Sequence, residues 1–234
     1  MDVDAARRAA GEAAVPLVED GMRIGLGTGT TAHWFILGVA ERVRQGLSIR
    51  AVATSVASAE LARVHGIAVE ELGADGVDLD VDGADSVDPA LHLIKGRGGA
   101  MLREKIVAAA SARFVVIVDD SKYMSHLSGR VPVEVVPFGC ERTLLTLAER
   151  TSLDFTMRVD ATGARFTTDN GNLVADSDFT DVEDPAALAE LIGSVPGVAG
   201  HGLFIGMAGL VFVGHSDGSV EQLTAPSDTV GAGG

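Results

Sequence analysis

The sequence holds one cysteine, Cys140, in 234 residues. That excludes an internal disulfide framework and fits a chain kept in a reducing cytoplasm. No apolar run approaches the roughly 18 residues of a membrane span. The opening stretch, MDVDAARRAAGEAAVPLVEDG, has acids near its start and no continuous apolar segment, so it reads as an amphipathic helix and not as a signal peptide. None of the six histidines stands three to five residues from another, so the ligand pair of a zinc helix is missing. Lysine is scarce as well: Lys95, Lys105 and Lys122 face fifteen arginines in a chain of net charge −15. A balance this acidic argues against sequence-independent nucleic-acid binding, which needs a basic footprint. A lysine-poor, acid-rich surface stays hydrated by self-repulsion and is expected to suit high salt.

What is present points to a layered α/β protein. The apolar fraction is 47% and there are 29 glycines, a composition that supports one or two buried cores at this length. Short apolar strands at Arg23–Leu26, Ile49–Ala53, Ile67–Glu70, Asp78–Val81 and Phe114–Val118 alternate with helical spacing. Such alternation implies a parallel sheet with right-handed crossovers, and ligands bind such sheets beyond the carboxyl ends of the strands. After Gly129 the order becomes strand, helix, strand, strand, helix, strand, ending in an expected strand over Val198–Ile205, which suggests a ferredoxin-like unit. The expected architecture is a Rossmann-like parallel-sheet domain (residues 1–129 and 206–223) with a smaller ferredoxin-like α/β domain (130–205). Residues 224–234, polar and glycine-rich, are expected to be a disordered tail.

Three stretches carry chemistry. Gly25–Thr31, GLGTGTT, lies between a strand and a helix, where glycines admit a ligand to the backbone and amides at a helix N-terminus favour phosphate. Thr28, Gly29, Thr30 and Thr31 are the candidate phosphate contacts, against the plainer reading of a tight structural turn. A dinucleotide fingerprint would want glycine at Thr30 and an acid where Thr54-Ser55 stands. VDGADSVD supplies Asp82 and Asp85 around Gly83-Ala84, against the reading of a solvated acidic turn; the stretch from Asp82 to Lys95 is expected to be loop. KGRGGAMLRE places Lys95 before a bend, Gly96-Arg97-Gly98, and Glu104 in the first turns of a helix. A carboxylate in a dry site can abstract a carbon-bound proton, and a lysine can offset the charge that develops on neighbouring oxygens. Lys122, in Asp120-Ser121-Lys122, adds a cation at the end of another strand. Carboxylates and a lysine beside a backbone-lined pocket suit proton transfer on a polyol phosphate.

These stretches, in this order, resemble ribose-5-phosphate isomerase of type A. The matching segments are AAGEAAVPLVEDGMRIGLGTGTTA, ATSVASAELA, VDGAD, LIKGRGGAMLREKIVA, VVIVDDSK, PVEVVPF, TDNGNLV and GLFIGMA, spread from Ala9 to Gly214. The resemblance implies interconversion of D-ribose 5-phosphate and D-ribulose 5-phosphate through a cis-enediolate, in the pentose phosphate pathway. It implies no metal or organic cofactor and assembly as a homodimer or homotetramer, while no nucleic-acid or membrane partner and a cytoplasmic setting are expected from the composition. It also implies Glu104 as the base, with Asp82, Asp85 and Lys95 around it, and the loop from Thr28 to Thr31 with Lys122 in the substrate pocket. The chain departs from the family pattern at Thr30 (usually serine), at Ser86 (usually an acid, so a carboxylate is expected to be missing from the rim) and at Arg97 (usually glycine). Other readings are a non-catalytic sugar-phosphate sensor and another sugar-phosphate enzyme of the same superfamily.

Overall fold

The N-terminal segment becomes helix α1 (Val3–Ala14), capped by Asp2, whose carboxylate accepts from the amides of Asp4 and Ala5. A single 3-10 turn, Val15–Leu17, ends it. The structure, a computed structural model, describes residues 2–179 and 183–225. Strands β1 (Arg23–Leu26), β2 (Arg50–Ala53) and β3 (Leu79–Gly83) alternate with helices α2 (Thr30–Arg44) and α3 (Val56–Val64). A hairpin of two-residue strands follows, β4 (Ser86–Val87) and β5 (Leu93–Ile94), then α4 (Met101–Ala109) and β6 (Phe114–Asp119). The second part runs β7 (Gly129–Val135), α5 (Cys140–Thr151), β8 (Thr156–Met157), β9 (Leu173–Phe179), α6 (Pro185–Gly193) and β10 (Val198–His201). The chain then returns through β11 (Leu203–Phe204), β12 (Leu210–Gly214) and β13 (Val220–Thr224).

The main sheet has the order β13-β12-β6-β3-β1-β2, parallel throughout except for the β12–β13 hairpin. The expected strand over Ile67–Glu70 shrinks to one parallel bridge, Ala51 to Val69, at the outer edge of β2. Strand order reverses between β1 and β3, the switch point at which open α/β sheets leave a crevice. The sheet is covered on both faces. Leu79 and Val81 of β3 join the core under α1 and α2, while Asp80 and Asp82, one residue out of phase, face the opposite side with α4.

The second sheet has the order β10-β7-β9-β8, antiparallel throughout. Numbered within that unit the order is 4-1-3-2, the arrangement of a split βαβ pair. The expected strand Val198–Ile205 is interrupted at Gly202. Residues before it pair with β7, whereas those after it pair with β5 in a third sheet, β11-β5-β4. A side chain at Gly202 would collide with the Lys95 carbonyl, so the crossing point has to be glycine. The hairpin β4–β5 also corrects the expectation of a loop from Asp82 to Lys95. Thr224 closes β13 against Leu210 and is not part of a tail; residues 226–234 lie outside the described residues. We propose the two larger sheets as the cores of two domains, with the return to the first coming at Leu203.

Candidate active site

Asp82, at the end of β3, organises the crevice. Its Oδ1 accepts the amides of Thr28 (2.8 Å) and Gly83 (2.7 Å), which ties the end of β1 to the end of β3. A Cβ on Gly27 would fall 2.5 Å from the Asp82 Cα, so β1 comes this close only with glycine there. Asp82 Oδ2 stands 2.9 Å from Lys95 Nζ. Lys95 follows β5, has its amide held by the Gly202 carbonyl (2.8 Å), and donates from its ammonium to the Gly83 carbonyl. Glu104 projects from the first turn of α4, with Oε2 3.4 Å from the same ammonium. All three side chains are buried, Glu104 at 4% exposure.

This burial decides the electrostatics. It pushes Glu104 up to about 8, with Asp82 adding to the rise and Lys95 opposing it. The helix N-terminus favours a carboxylate anion, but here desolvation outweighs it. Burial alone would pull Lys95 down, yet Asp82 and Glu104 outweigh that and hold it above the ordinary lysine value. Asp80, beneath Asp82 on the same face, has no hydrogen-bond partner on either oxygen. Burial, then the charge of Asp82, raises it well above the usual carboxylate range.

A cleft of about 280 Å³ opens above this cluster. Glu104, Lys95, Gly83, Ala84 and Asp85 form its floor and one wall, and Gly96, Arg97 and Gly98 form another. Thr28, Gly29, Thr30 and Thr31 border it at the start of α2, and Lys122 at the end of the 3-10 turn Asp120–Lys122. The first amides of α2 have no partner within the helix, and Thr30 is exposed to the cleft side of that terminus. The Thr28 hydroxyl is spent inside the protein, against Thr54 (2.7 Å) and Ser55 (2.8 Å). Thr28 therefore contributes its backbone position to the cleft wall more than a free hydroxyl.

Two cleft residues escaped the sequence reading. Arg7 reaches in from α1 and pairs with Asp119 at 3.2 Å. Asp119 ends β6 and caps the turn that carries Lys122, accepting the amide of Ser121. No local motif marks Arg7; only the packing of α1 against β6 and β12 brings it there. Ser86 needs the opposite correction. It is fully buried in β4, 3.7 Å from the Met124 sulfur, and does not line the cleft, so no carboxylate is missing from the rim at that position. Lys105 points away from the cleft, donating to the Leu203 carbonyl over the Phe204 ring. Burial lowers it to about 8. Among the described residues no group of three or more His, Cys, Asp or Glu side chains is arranged to hold a metal ion, and no helix is long and apolar enough to cross a membrane.

Comparison with known proteins agrees along the chain. The family model for ribose 5-phosphate isomerase A (phosphoriboisomerase A) matches residues 50–218. The ribose-5-phosphate isomerase A of Roseiflexus sp. (strain RS-1) is 49% identical, covering 97% of this chain and 99% of its own. That of Haloarcula marismortui is 47% identical, covering 92% and 94%. Among solved structures, ribose 5-phosphate isomerase from Plasmodium falciparum superposes with a TM-score of 0.90 at 32% identity, covering 94% of this chain and 98% of that one. A D-ribose-5-phosphate isomerase in complex with phospho-erythronic acid reaches a TM-score of 0.91 at 35% identity, covering 96% and 100%. Since the family model spans well over half of the sequence and the relatives match it nearly end to end, the chain belongs to the ribose 5-phosphate isomerase A family.

Proposed function

We propose that the cleft between β1 and β3 is where this isomerase interconverts D-ribose 5-phosphate and D-ribulose 5-phosphate, with Glu104 as the base. The observation that carries the reading is a buried carboxylate, raised to about 8, standing 3.4 Å from a buried ammonium. A carboxylate in that state is a strong enough base to take a proton from carbon near neutral pH, and the ammonium is placed to offset charge on adjacent oxygens.

Glu104 takes the proton from C2 of the open-chain aldose, and the electron pair moves toward the C1 carbonyl to give a cis-enediolate. Glu104 then returns the proton to C1, leaving the carbonyl at C2. Lys95 stabilises the charge on O1 and O2. Asp82 already accepts two amides and pairs with Lys95, so its duty is to hold Lys95 in place. Asp85 borders the cleft with its side chain 24% exposed and is the better carrier of protons between the sugar oxygens. The α2 terminus, with Thr30 and Thr31, receives the phosphate, and Lys122 and Arg7 add positive charge to the same cleft. A relative's complex with phospho-erythronic acid supports this reading: such an acid carries a phosphate and a carboxylate, whose two oxygens lie in a plane as those of a cis-enediolate do.

We also propose that the enzyme works in the pentose phosphate pathway in the cytoplasm, without metal or organic cofactor, as a homodimer or homotetramer. A coupled assay offering ribose 5-phosphate beside other sugar phosphates tests the substrate, and mass measurement in solution tests the assembly. Preference for another sugar phosphate would overturn the substrate assignment.

A further inference from the structure

The wall of the cleft formed by Gly96, Arg97 and Gly98 is held from behind by a residue of the second sheet. Arg158 follows β8, and one of its terminal nitrogens, Nη1, donates to two successive carbonyls, those of Gly96 (3.2 Å) and Arg97 (2.9 Å). The rest of the guanidinium is locked. Nε and Nη2 donate to the two oxygens of Asp176 at 2.8 and 2.5 Å, a bidentate pair whose side chains are 13% and 10% exposed. The group also lies over the Phe166 ring, 5.5 Å from its centroid. Phe166 in turn abuts Gly99, where a Cβ would come within 2.4 Å of the ring.

The peptide joining residues 96 and 97 is thus gripped at both ends. Its carbonyl accepts from Arg158 and from the Gly99 amide (2.9 Å), while its N–H donates to Asp85 Oδ2 (3.0 Å). In the next peptide the Arg97 carbonyl faces Arg158. A trans peptide points its N–H the opposite way, so the Gly98 N–H turns away from Arg158, and Gly98 borders the cleft. Rotation of that peptide would present a carbonyl oxygen instead of a donor to a substrate on which negative charge develops.

We propose that Arg158, held by Asp176 and Phe166, is a positioning residue for the reaction: it pins the carbonyls of Gly96 and Arg97 outward so that the loop offers the Gly98 amide to the anionic intermediate. This rests on the reading of the cleft given above. Through Arg158 the second sheet, which supplies no side chain to the cleft wall, orients the wall's backbone.

The test measures steady-state isomerisation of ribose 5-phosphate by Arg158→Ala, Arg158→Lys, Asp176→Asn and Glu104→Gln, beside the affinities of phospho-erythronic acid and inorganic phosphate. Loss of one oriented donor to a developing oxyanion lowers turnover by roughly 10²-fold. Arg158→Ala is expected to lose kcat on that scale with KM little changed, and phospho-erythronic acid affinity should fall while inorganic phosphate affinity holds. Added guanidinium ion should restore part of the turnover, and Arg158→Lys, which lacks the planar fork, should behave like the alanine variant. If Arg158→Ala does not fold, Asp176→Asn keeps the guanidinium but frees it, and should show a smaller loss with the same kcat-against-KM pattern. Equal losses in both ligands' affinities without guanidinium rescue, or unaltered turnover in folded Arg158→Ala or Asp176→Asn, overturn the proposal. Turnover surviving in Glu104→Gln would instead strike at the reading of the cleft.

Discussion

Lys95 Nζ lies 3.4 Å from Glu104 Oε2, and both side chains are at most 5% exposed. A buried ammonium beside a buried carboxylate is costly unless both are held by other partners. Lys95 has them in Asp82 and the Gly83 carbonyl; Glu104 Oε2 has no hydrogen bond of its own. Of the buried carboxylates Asp80, Asp82 and Glu104, Glu104 is the one that lines the cleft, which is where a base has to be.

Glu104→Gln preserves the shape of that side chain and removes its basicity. Turnover is expected to fall by about 10²–10⁴-fold, with phospho-erythronic acid still binding. Near-normal kcat in steady-state kinetics would refute Glu104 as the base.

The pH dependence follows from the same group. A base must be unprotonated to act, and burial holds Glu104 up at about 8. Log kcat/KM should therefore rise with pH by about one per unit and level off near pH 8. Lys95 opposes the rise, so its replacement by methionine should move that acid limb to higher pH in whatever activity remains. A limb near pH 4–5 in the unmodified enzyme would show that Glu104 is not desolvated as described.

Gly25 lies opposite Asp80, and a Cβ there would stand 2.3 Å from Asp80 Oδ1 and 2.8 Å from Val107 Cγ1. Gly25→Ala should cost about 1–3 kcal/mol by overpacking. Combining it with Asp80→Ala should recover a large part of that loss, because the two sites share one space. Strict additivity in urea denaturation would refute the steric link.

Arg97, where the resemblance leads one to expect glycine, sits in its loop without backbone strain. Gly96 and Gly99 have φ of 101° and 83°, whereas residue 97 is not among the positive-φ positions. Its side chain is 79% exposed, 3.7 Å from Asp85. Arg97→Gly should shift stability by no more than about 0.5 kcal/mol and KM by less than about twofold. A larger rise in KM would assign the guanidinium to phosphate binding.

The acidic, lysine-poor surface should make stability depend on salt. The unfolding midpoint is expected to rise between about 0.1 and 2 M sodium chloride, beyond the range where simple screening of surface charge is complete. A flat curve would remove the idea of salt adaptation.

Much of the first sheet was legible because its strands are short apolar-rich segments that alternate with helical spacing. Arg23–Leu26 and the end of β2 at Ala53 fall where the pattern places them. Two-residue strands leave no period to read, which is why the β4–β5 hairpin was expected to be loop. The edge segment Ile67–Glu70 has strand composition but only one bridge, since nothing pairs on its outer side among the described residues. The break at Gly202 depends on the approach of Lys95, more than one hundred positions earlier, and has no local sign.

From residue order alone came the alternation of strand and helix, the glycine-rich turn before α2, and the acids and lysine that follow β3 and β5. These are short-range properties, set by side-chain period and backbone freedom within a few positions. Tertiary structure alone decided which carboxylate would be stripped of water, that Asp82 would steady Lys95, that the Thr28 hydroxyl would turn inward, and that Arg7 would reach the cleft and Arg158 the back of its wall from distant elements. Desolvation and the aim of a long side chain depend on everything packed around them, and no window of sequence contains that.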